Sequence, residues 1–323
     1  MQEILGLTFP FFGLIFVGFA AGKIFKVPHE GLAWLSTYLV WFALPALFFE
    51  LIAKTPFEQL LSFGFVLTAV FSTYCAFAIS FVIGYLLSRG NIAESVIQGE
   101  LGAYSNIGYM GPPLTLSAFG PAAAAPAALI FAFENLLHFS LVPLLVAVGT
   151  EDDVAPLKLA GRVLRRFILH PFILATVAGF VGAYFAVQPW APVQTMLTYL
   201  KNSAAPCALF TMGVTVALRP VKRVPWEMPI LTAVKLVLHP AIVWVMLSLV
   251  GDFDPVWVYT AVMMAALPPA LNVFVMAQQY NVYVERASTT ILFGTVVSVF
   301  TVTGLLYLIT AGLLPSDLFP ASP

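Results

Sequence analysis

The chain has 323 residues, 61% of them hydrophobic and only 9% charged, with a formal net charge of -1 and a mean hydropathy of +0.97. A soluble domain carries about 25% charged residues, so this chain cannot cover itself with a solvated surface and reads as an integral membrane protein. The near-zero net charge and the lack of a Lys/Arg-rich run argue against nucleic acid as a partner, and Cys75 and Cys207 lie in apolar segments without metal-ligand spacing.

A membrane helix needs about 20 mostly apolar residues. On that criterion spans are expected over 4–25, 31–53, 62–88, 93–119, 121–148, 162–187, 192–217, 229–251, 256–280 and 287–311. The first lacks the charged lead, short apolar core and small-residue cleavage site of a signal peptide, and is expected to stay in the mature protein. Basic residues concentrate in cytoplasmic loops. The loops after the odd-numbered spans hold Lys23, Lys26, Arg89, Lys158, Arg162, Arg165, Arg166, Arg219, Lys222, Arg223 and Arg286, whereas the opposite loops hold only Lys54. That asymmetry supports ten spans in the cell membrane with both termini outside.

The polar stretch over 150–161 divides the chain into two sets of five spans, 1–149 and 162–315. Five is odd, so two halves of like fold must lie in the membrane with opposite orientations. Proline landmarks recur in order: Pro45 in span 2 and Pro206 in span 7, then Pro112-Pro113 in span 4 and Pro268-Pro269 in span 9. Inverted repeats with broken helices in corresponding positions are a design of secondary transporters.

The stretch SNIGYMGPPL, Ser105 to Leu114, concentrates the breakers. A proline inside a helix costs about 3 kcal/mol, and each orphaned backbone group in hydrocarbon costs several more. Such a backbone survives at membrane depth only when buried in protein or lining a wet cavity. ALPPALN, Ala266 to Asn272, repeats the case. The breaks are therefore expected to meet near the midplane and form a binding site. Half-helix N-termini there suit an anion, and Asn106, Gly111, Pro112, Pro113, Pro268, Pro269 and Asn272 are its candidate residues.

These motifs resemble the auxin efflux carrier family, which includes the plant PIN carriers and bacterial relatives. Asn106 to Leu114 looks like that family's span 4 motif, and ALPPALNVFVMAQQYNV with ASTTILFGT (Ala266 to Val282, Ala287 to Thr295) is similar to its last two spans. LVWFALPALFFELIAKTP (Leu39 to Pro56) and NSAAPCALFTMGVTVALRP (Asn202 to Pro220) match spans 2 and 7. The resemblance implies an all-α, ten-span fold shared with sodium/proton antiporters and bile acid symporters, in which spans 4 and 9 unwind and cross. It further implies a scaffold of spans 1, 2, 6 and 7, able to form a homodimer, and a moving transport domain of spans 3–5 and 8–10. The cargo would be a small organic anion, either auxin-like or a dicarboxylate such as malonate or malate, held at Asn106 and the two breaks, with Asn135 of span 5 joining them. This chain departs from the long plant carriers in its short central loop, and span 3 lacks the acidic residue that they carry there.

Ionisable groups within spans are expensive and functional candidates by default. Glu134 and His138 stand one turn apart in span 5, close enough to share a proton. Glu100 precedes Asn106 in span 4, where it can bind a coupling cation, Na+ or H+, or simply reach a cytoplasmic vestibule. Glu50 and Lys54 read as an interfacial pair, and Lys201, Lys235 and His239 as snorkelling or locally paired side chains. His170-Pro171 and His239-Pro240 read as kink positions.

An inverted repeat with a midplane site points to alternating-access transport. No span shows the polar stripe or charged ring of a channel, and the loops are too short for a sensor's output domain. There is no metalloprotease motif, nucleophile elbow or phosphate-cradling loop, so neither an enzyme nor a cofactor is expected. A sensor for the same anions and an uncoupled uniporter are the alternatives.

Overall fold

The computed structural model describes residues 2–25, 29–150, 161, 165, 168–218 and 226–319; these are helix and loop throughout, apart from one isolated bridge between Ser105 and Pro269. In chain order the helices are α1 Gln2–Phe25, α2 His29–Tyr38, α3 Leu44–Ala53, α4 Phe57–Leu60, α5 Phe63–Leu87, α6 Ile92–Ala103, α7 Gly111–Phe119 and α8 Ala124–Thr150. They continue as α9 Pro171–Tyr184, α10 Ala191–Leu218, α11 Met228–Ala233, α12 His239–Val250, α13 Pro255–Ala265, α14 Leu271–Tyr280 and α15 Val284–Thr310. Most of the central loop expected over 150–161 lies outside the described residues, as do Lys26, Lys158, Arg162, Arg166, Arg219, Lys222 and Arg223.

Four helical stretches among the described residues are long and apolar enough to cross a membrane: Gly31–Ala53, Phe57–Leu87, Met228–Val250 and Val284–Thr310. The segments expected as spans 4 and 9 are each two short helices. A helix of about a dozen residues is about 18 Å long against a hydrocarbon core of about 30 Å, so α6, α7, α13 and α14 cannot span singly.

Two prolines are accommodated by widened turns. Pro45 follows the π-helical stretch Leu39–Ala43, and Pro240 follows Val234–Leu238. A proline ring presses on the carbonyl four residues back and donates no hydrogen bond to it; a π turn at that point relieves the clash. Pro206, expected as the repeat partner of Pro45, instead sits within α10. His170 does not kink a helix: it caps the start of α9, its Nδ1 accepting from Phe172 N at 3.4 Å.

The chain forms two compact units, drawn from interleaved segments rather than from its two halves. The first comprises residues 1–63, 108–132 and 168–220. Here α1 and α10 touch backbone to backbone. A Cβ added to Gly18 would stand 2.1 Å from Phe210 O, and one added to Gly213 would stand 2.0 Å from Ile15 O. Small residues at such contacts let membrane helices approach closely. Phe48 stacks on Phe131, ring centroids 3.6 Å apart. Glu50, 1% exposed, pairs with Lys54 at 3.1 Å as expected, and also with Lys201 at 3.0 Å; Thr198 and Gln194 complete its shell.

The second unit comprises residues 64–107, 133–167 and 221–323. Its α6 begins at Asn91, whose side chain accepts from Glu94 N at 3.0 Å, an N-cap. Further along, α6 lies against α5 through glycines: a Cβ on Gly102 would fall 1.7 Å from Ser80 Oγ, and one on Gly99 2.7 Å from the Phe77 ring. The boundary between the units falls between Ile107 and Gly108, inside the first break, and α8 passes from one unit to the other at Ala132 and Phe133.

Candidate functional site

Within the second unit the two interrupted segments are hydrogen-bonded to each other through their main chains. Helix α6 stops at Ala103, and Tyr104 is extended. Helix α13 stops at Ala265, and Ala270, also extended, leads into α14. Asn106 N donates to Pro268 O at 2.8 Å, Ala270 N donates to Tyr104 O at 2.9 Å, and Ser105 faces Pro269 as an antiparallel bridge. Pro268 and Pro269 lack N–H groups, so this segment offers the Pro268 carbonyl to Asn106 and only its next donor, Ala270 N, to Tyr104 O. Backbone groups with no water to turn to are thereby paired.

The first break is not where its prolines stand. Gly111, Pro112 and Pro113 open α7, and the interruption runs ahead of them from Tyr104 to Met110. A first helical turn has orphan N–H groups in any case, so proline is tolerated there. These three residues belong to the first unit, while Asn106, Asn135, Pro268, Pro269 and Asn272 belong to the second. The prolines also remove two N–H groups from the α7 terminus, which weakens it as the anion cradle expected from the sequence. At α14 the N–H groups of Leu271 and Asn272 have no backbone acceptor among the described residues.

Tyr104 is the hub that the sequence reading missed. Its hydroxyl donates to Asn135 Oδ1 and accepts from Asn272 Nδ2 at 2.9 Å. Alternate residues of an extended segment share a face, which sets Asn106 on the side of Tyr104 and turns Ser105 the other way, where its Oγ donates to Ala265 O at 3.2 Å. Tyr104, Asn106 and Asn135 are buried and Asn272 half-buried. Neutral carboxamides and a phenol can hold a carboxylate while costing less to bury than a lysine or arginine.

Beneath these groups the ionisable residues sort themselves differently from the expectation. No hydrogen bond joins Glu134 to His138 among the described residues, although His138 acts on Glu134 electrostatically. Glu134 Oε1 accepts from Thr73 Oγ1 at 2.7 Å, while His138 Nδ1 lies 2.8 Å from Glu100 Oε2. The His138 ring is committed to Tyr104, stacked with centroids 4.1 Å apart and 13° between planes, and that orientation turns it to α6. Lys235 and His239 are locally paired at 3.2 Å. Neither snorkels, since both are 0% exposed. Lys235 Nζ donates to Ala265 O, the carbonyl that ends α13, which satisfies one of the C-terminal carbonyls left open at that half-helix.

The chain matches the family described as membrane transport protein over residues 4–306. It is 52% identical over 320 residues, 99% of this chain and all of the relative, to a Rhizobium meliloti protein named "Putative malonate transporter". It belongs to the auxin efflux carrier family. This carrier, a multi-pass membrane transport protein and not an enzyme, is also 21% identical to auxin efflux carrier component 8 of Arabidopsis thaliana, across 92% of this chain and 95% of that one. An uncharacterized transporter of Methanothermobacter thermautotrophicus is 22% identical across 88% of the carrier and 91% of its own length.

Proposed function

We propose that the carrier is a secondary transporter that moves a small organic anion of the malonate class across the cell membrane by alternating access. The observation that carries this reading is the pairing of the two breaks, Asn106 N to Pro268 O and Ala270 N to Tyr104 O, with the Tyr104–Asn135–Asn272 hydroxyl–carboxamide chain beside it. The relative named for malonate supplies the substrate class.

In this reading ten spans form a five-plus-five inverted repeat with both termini external, and spans 4 and 9 cross at the breaks. The second unit, holding span 3, the first half of span 4 and spans 8–10, carries the site. The first unit, holding spans 1, 2, 6 and 7, is the scaffold and the surface for a homodimer. Asn106, Asn135 and Asn272 bind the carboxylates, and the Leu271 and Asn272 N–H groups add the positive pole of α14. Gly111, Pro112 and Pro113 fix the second half of span 4. Two carboxylates on a short chain suit this set of several donors better than the single carboxylate of an auxin-like acid.

A panel of malonate, malate, succinate and indole-3-acetate in a thermal-shift assay tests this, since a ligand of the folded state raises the melting temperature by mass action. Malonate is expected to give the largest shift, and the same ligand to be taken up by proteoliposomes. Binding without uptake would favour a sensor, and no binding by any of the four would overturn the reading.

A further inference from the structure

Besides the tyrosines and Glu227, which bonds Tyr283 and Arg286, the second unit buries Glu100, Glu134, His138, Lys235 and His239, none more than 6% exposed. They divide into a complete set and an incomplete one. In the complete set Thr73 Oγ1 donates to Glu134 Oε1 at 2.7 Å. That hydroxyl has spent its proton, so His239 Nε2, 3.1 Å away, must be the donor to it. The other ring nitrogen, Nδ1, is then an acceptor, and Lys235 Nζ at 3.2 Å donates to it. Lys235, His239, Thr73 and Glu134 thus form one hydrogen-bonded chain in which each group satisfies the next. A further proton on His239 would break the Lys235 contact.

The incomplete set is Glu100 with His138. Their nearest atoms are 2.8 Å apart, yet both Glu100 oxygens and His138 Nδ1 are buried without an aligned hydrogen bond among the described residues. A carboxylate beside a neutral histidine leaves one uncompensated negative charge, which is costly in low dielectric. One proton removes it, giving an imidazolium against a carboxylate. No cluster of three or more His, Cys, Asp or Glu able to hold a metal ion exists among the described residues.

The pair is joined directly to the substrate reading. Tyr104, whose hydroxyl holds Asn135 and Asn272, stacks face to face on the His138 ring, and Tyr104 N donates to Glu100 O at 2.8 Å. The His138 ring therefore lies directly against the residue that organises the anion-binding carboxamides. The other ionisable groups facing this region from α5 are Tyr74, within electrostatic reach of Glu100 and Glu134, with Cys75 and Tyr85 on the same helix. On the other elements packed against α6, Glu227 bonds Tyr283 and Arg286, and Tyr280, Glu285 and Tyr307 are the further ionisable groups; on α6 itself Glu94 acts on Tyr283. Glu94 lies six residues before Glu100, about 9 Å along the helix.

We propose that Glu100 and His138 form a one-proton site that fills together with the anion, so that the carrier is a proton symporter. This rests on the transport reading above. Only a proton is exchanged, on His138 Nδ1 or shared with Glu100 Oε2, and no other bond changes.

The test uses the full chain in proteoliposomes with radiolabelled malonate, measured both as malonate/malonate exchange and as net uptake under an imposed proton or sodium gradient. With the membrane potential clamped at zero, one proton per substrate makes accumulation rise about tenfold per unit of inward pH gradient, with no response to sodium. Glu100→Gln and His138→Gln are expected to lose that response while exchange persists. Absence of exchange in the unaltered protein would defeat the transport reading itself. Exchange with uptake indifferent to pH, or driven by sodium, would overturn the proton site and leave that reading standing. A variant that keeps the full pH response would also overturn it. Should both variants fail to fold, the gradient measurement on the unaltered protein decides alone.

Discussion

The main-chain N–H of Asn106 reaches the carbonyl of Pro268 across 2.8 Å, joining residues 162 positions apart in sequence at the point where both their helices have stopped. Asn106→Pro deletes this donor and orphans a buried carbonyl. A cost of about 1–3 kcal/mol is expected, read as a lower melting temperature in detergent. Asn106→Ala keeps the main-chain bond and should lie much closer to the parent protein.

Tyr104→Phe removes one oxygen that serves two carboxamides, Asn135 as acceptor and Asn272 as donor, but keeps the ring that stacks on His138. Malonate affinity is expected to fall about tenfold, the equivalent of one hydrogen bond of about 1.4 kcal/mol. Isothermal titration measures it. An unchanged affinity would separate Tyr104 from the site.

How the sequence foreshadowed this geometry is uneven, for physical reasons. Two Pro-Pro pairs in apolar segments announce interruptions because proline's lost N–H is a local property. Where α6 stops is not local: Ala103 is followed by Tyr104 in extended backbone because Ala270 N and Pro268 O are there to pair with it, eight residues ahead of Pro112. The i,i+4 rule found Lys235 with His239 but misassigned Glu134 to His138, since a stacked Tyr104 ring turns His138 toward another helix. Tyr104 and Thr73 escaped notice altogether, because their roles are set by Asn135, Glu134 and His239 arriving from other helices. The short half-helices also fall below the length of a full span, which is why the segments expected as spans 4 and 9 are not long apolar helices.

Gly294 holds Pro269 in place: a Cβ there would stand 2.8 Å from the Pro269 ring, whereas at Gly304 of the same helix nothing lies within 4 Å. Gly294→Ala is expected to destabilise by about 1–3 kcal/mol through overpacking. Gly304→Ala should stabilise by up to about 1 kcal/mol through helix propensity. Thermal unfolding of the two variants side by side reads the difference.

In the first unit, Glu50 sits between Lys54 and Lys201. Lys201→Met removes a partner from a carboxylate that is 1% exposed, and a loss of about 1–3 kcal/mol is expected, tempered because the lysine itself is partly solvated. Transport per folded molecule should be little altered, which uptake normalised to correctly folded protein would check.

Outside the spans, burial and the hydrogen bond to Glu227 push the Tyr283 phenol above its ordinary range. The folded state therefore favours the neutral phenol. Its contribution to stability is complete below the unfolded value of about 10 and is lost as pH rises beyond it. Melting temperature should show no dependence on this group between pH 7 and 9, by the same reference value of about 10. Tyr283→Phe should remove part of the decline at higher pH.

The most direct measurement is the malonate-induced shift in melting temperature of the purified carrier beside those of Asn106→Ala and Asn272→Ala. A shift in the parent protein that vanishes in both variants, with their unliganded melting temperatures nearly kept, is the predicted result. Equal shifts in all three would show that the anion binds away from the paired breaks.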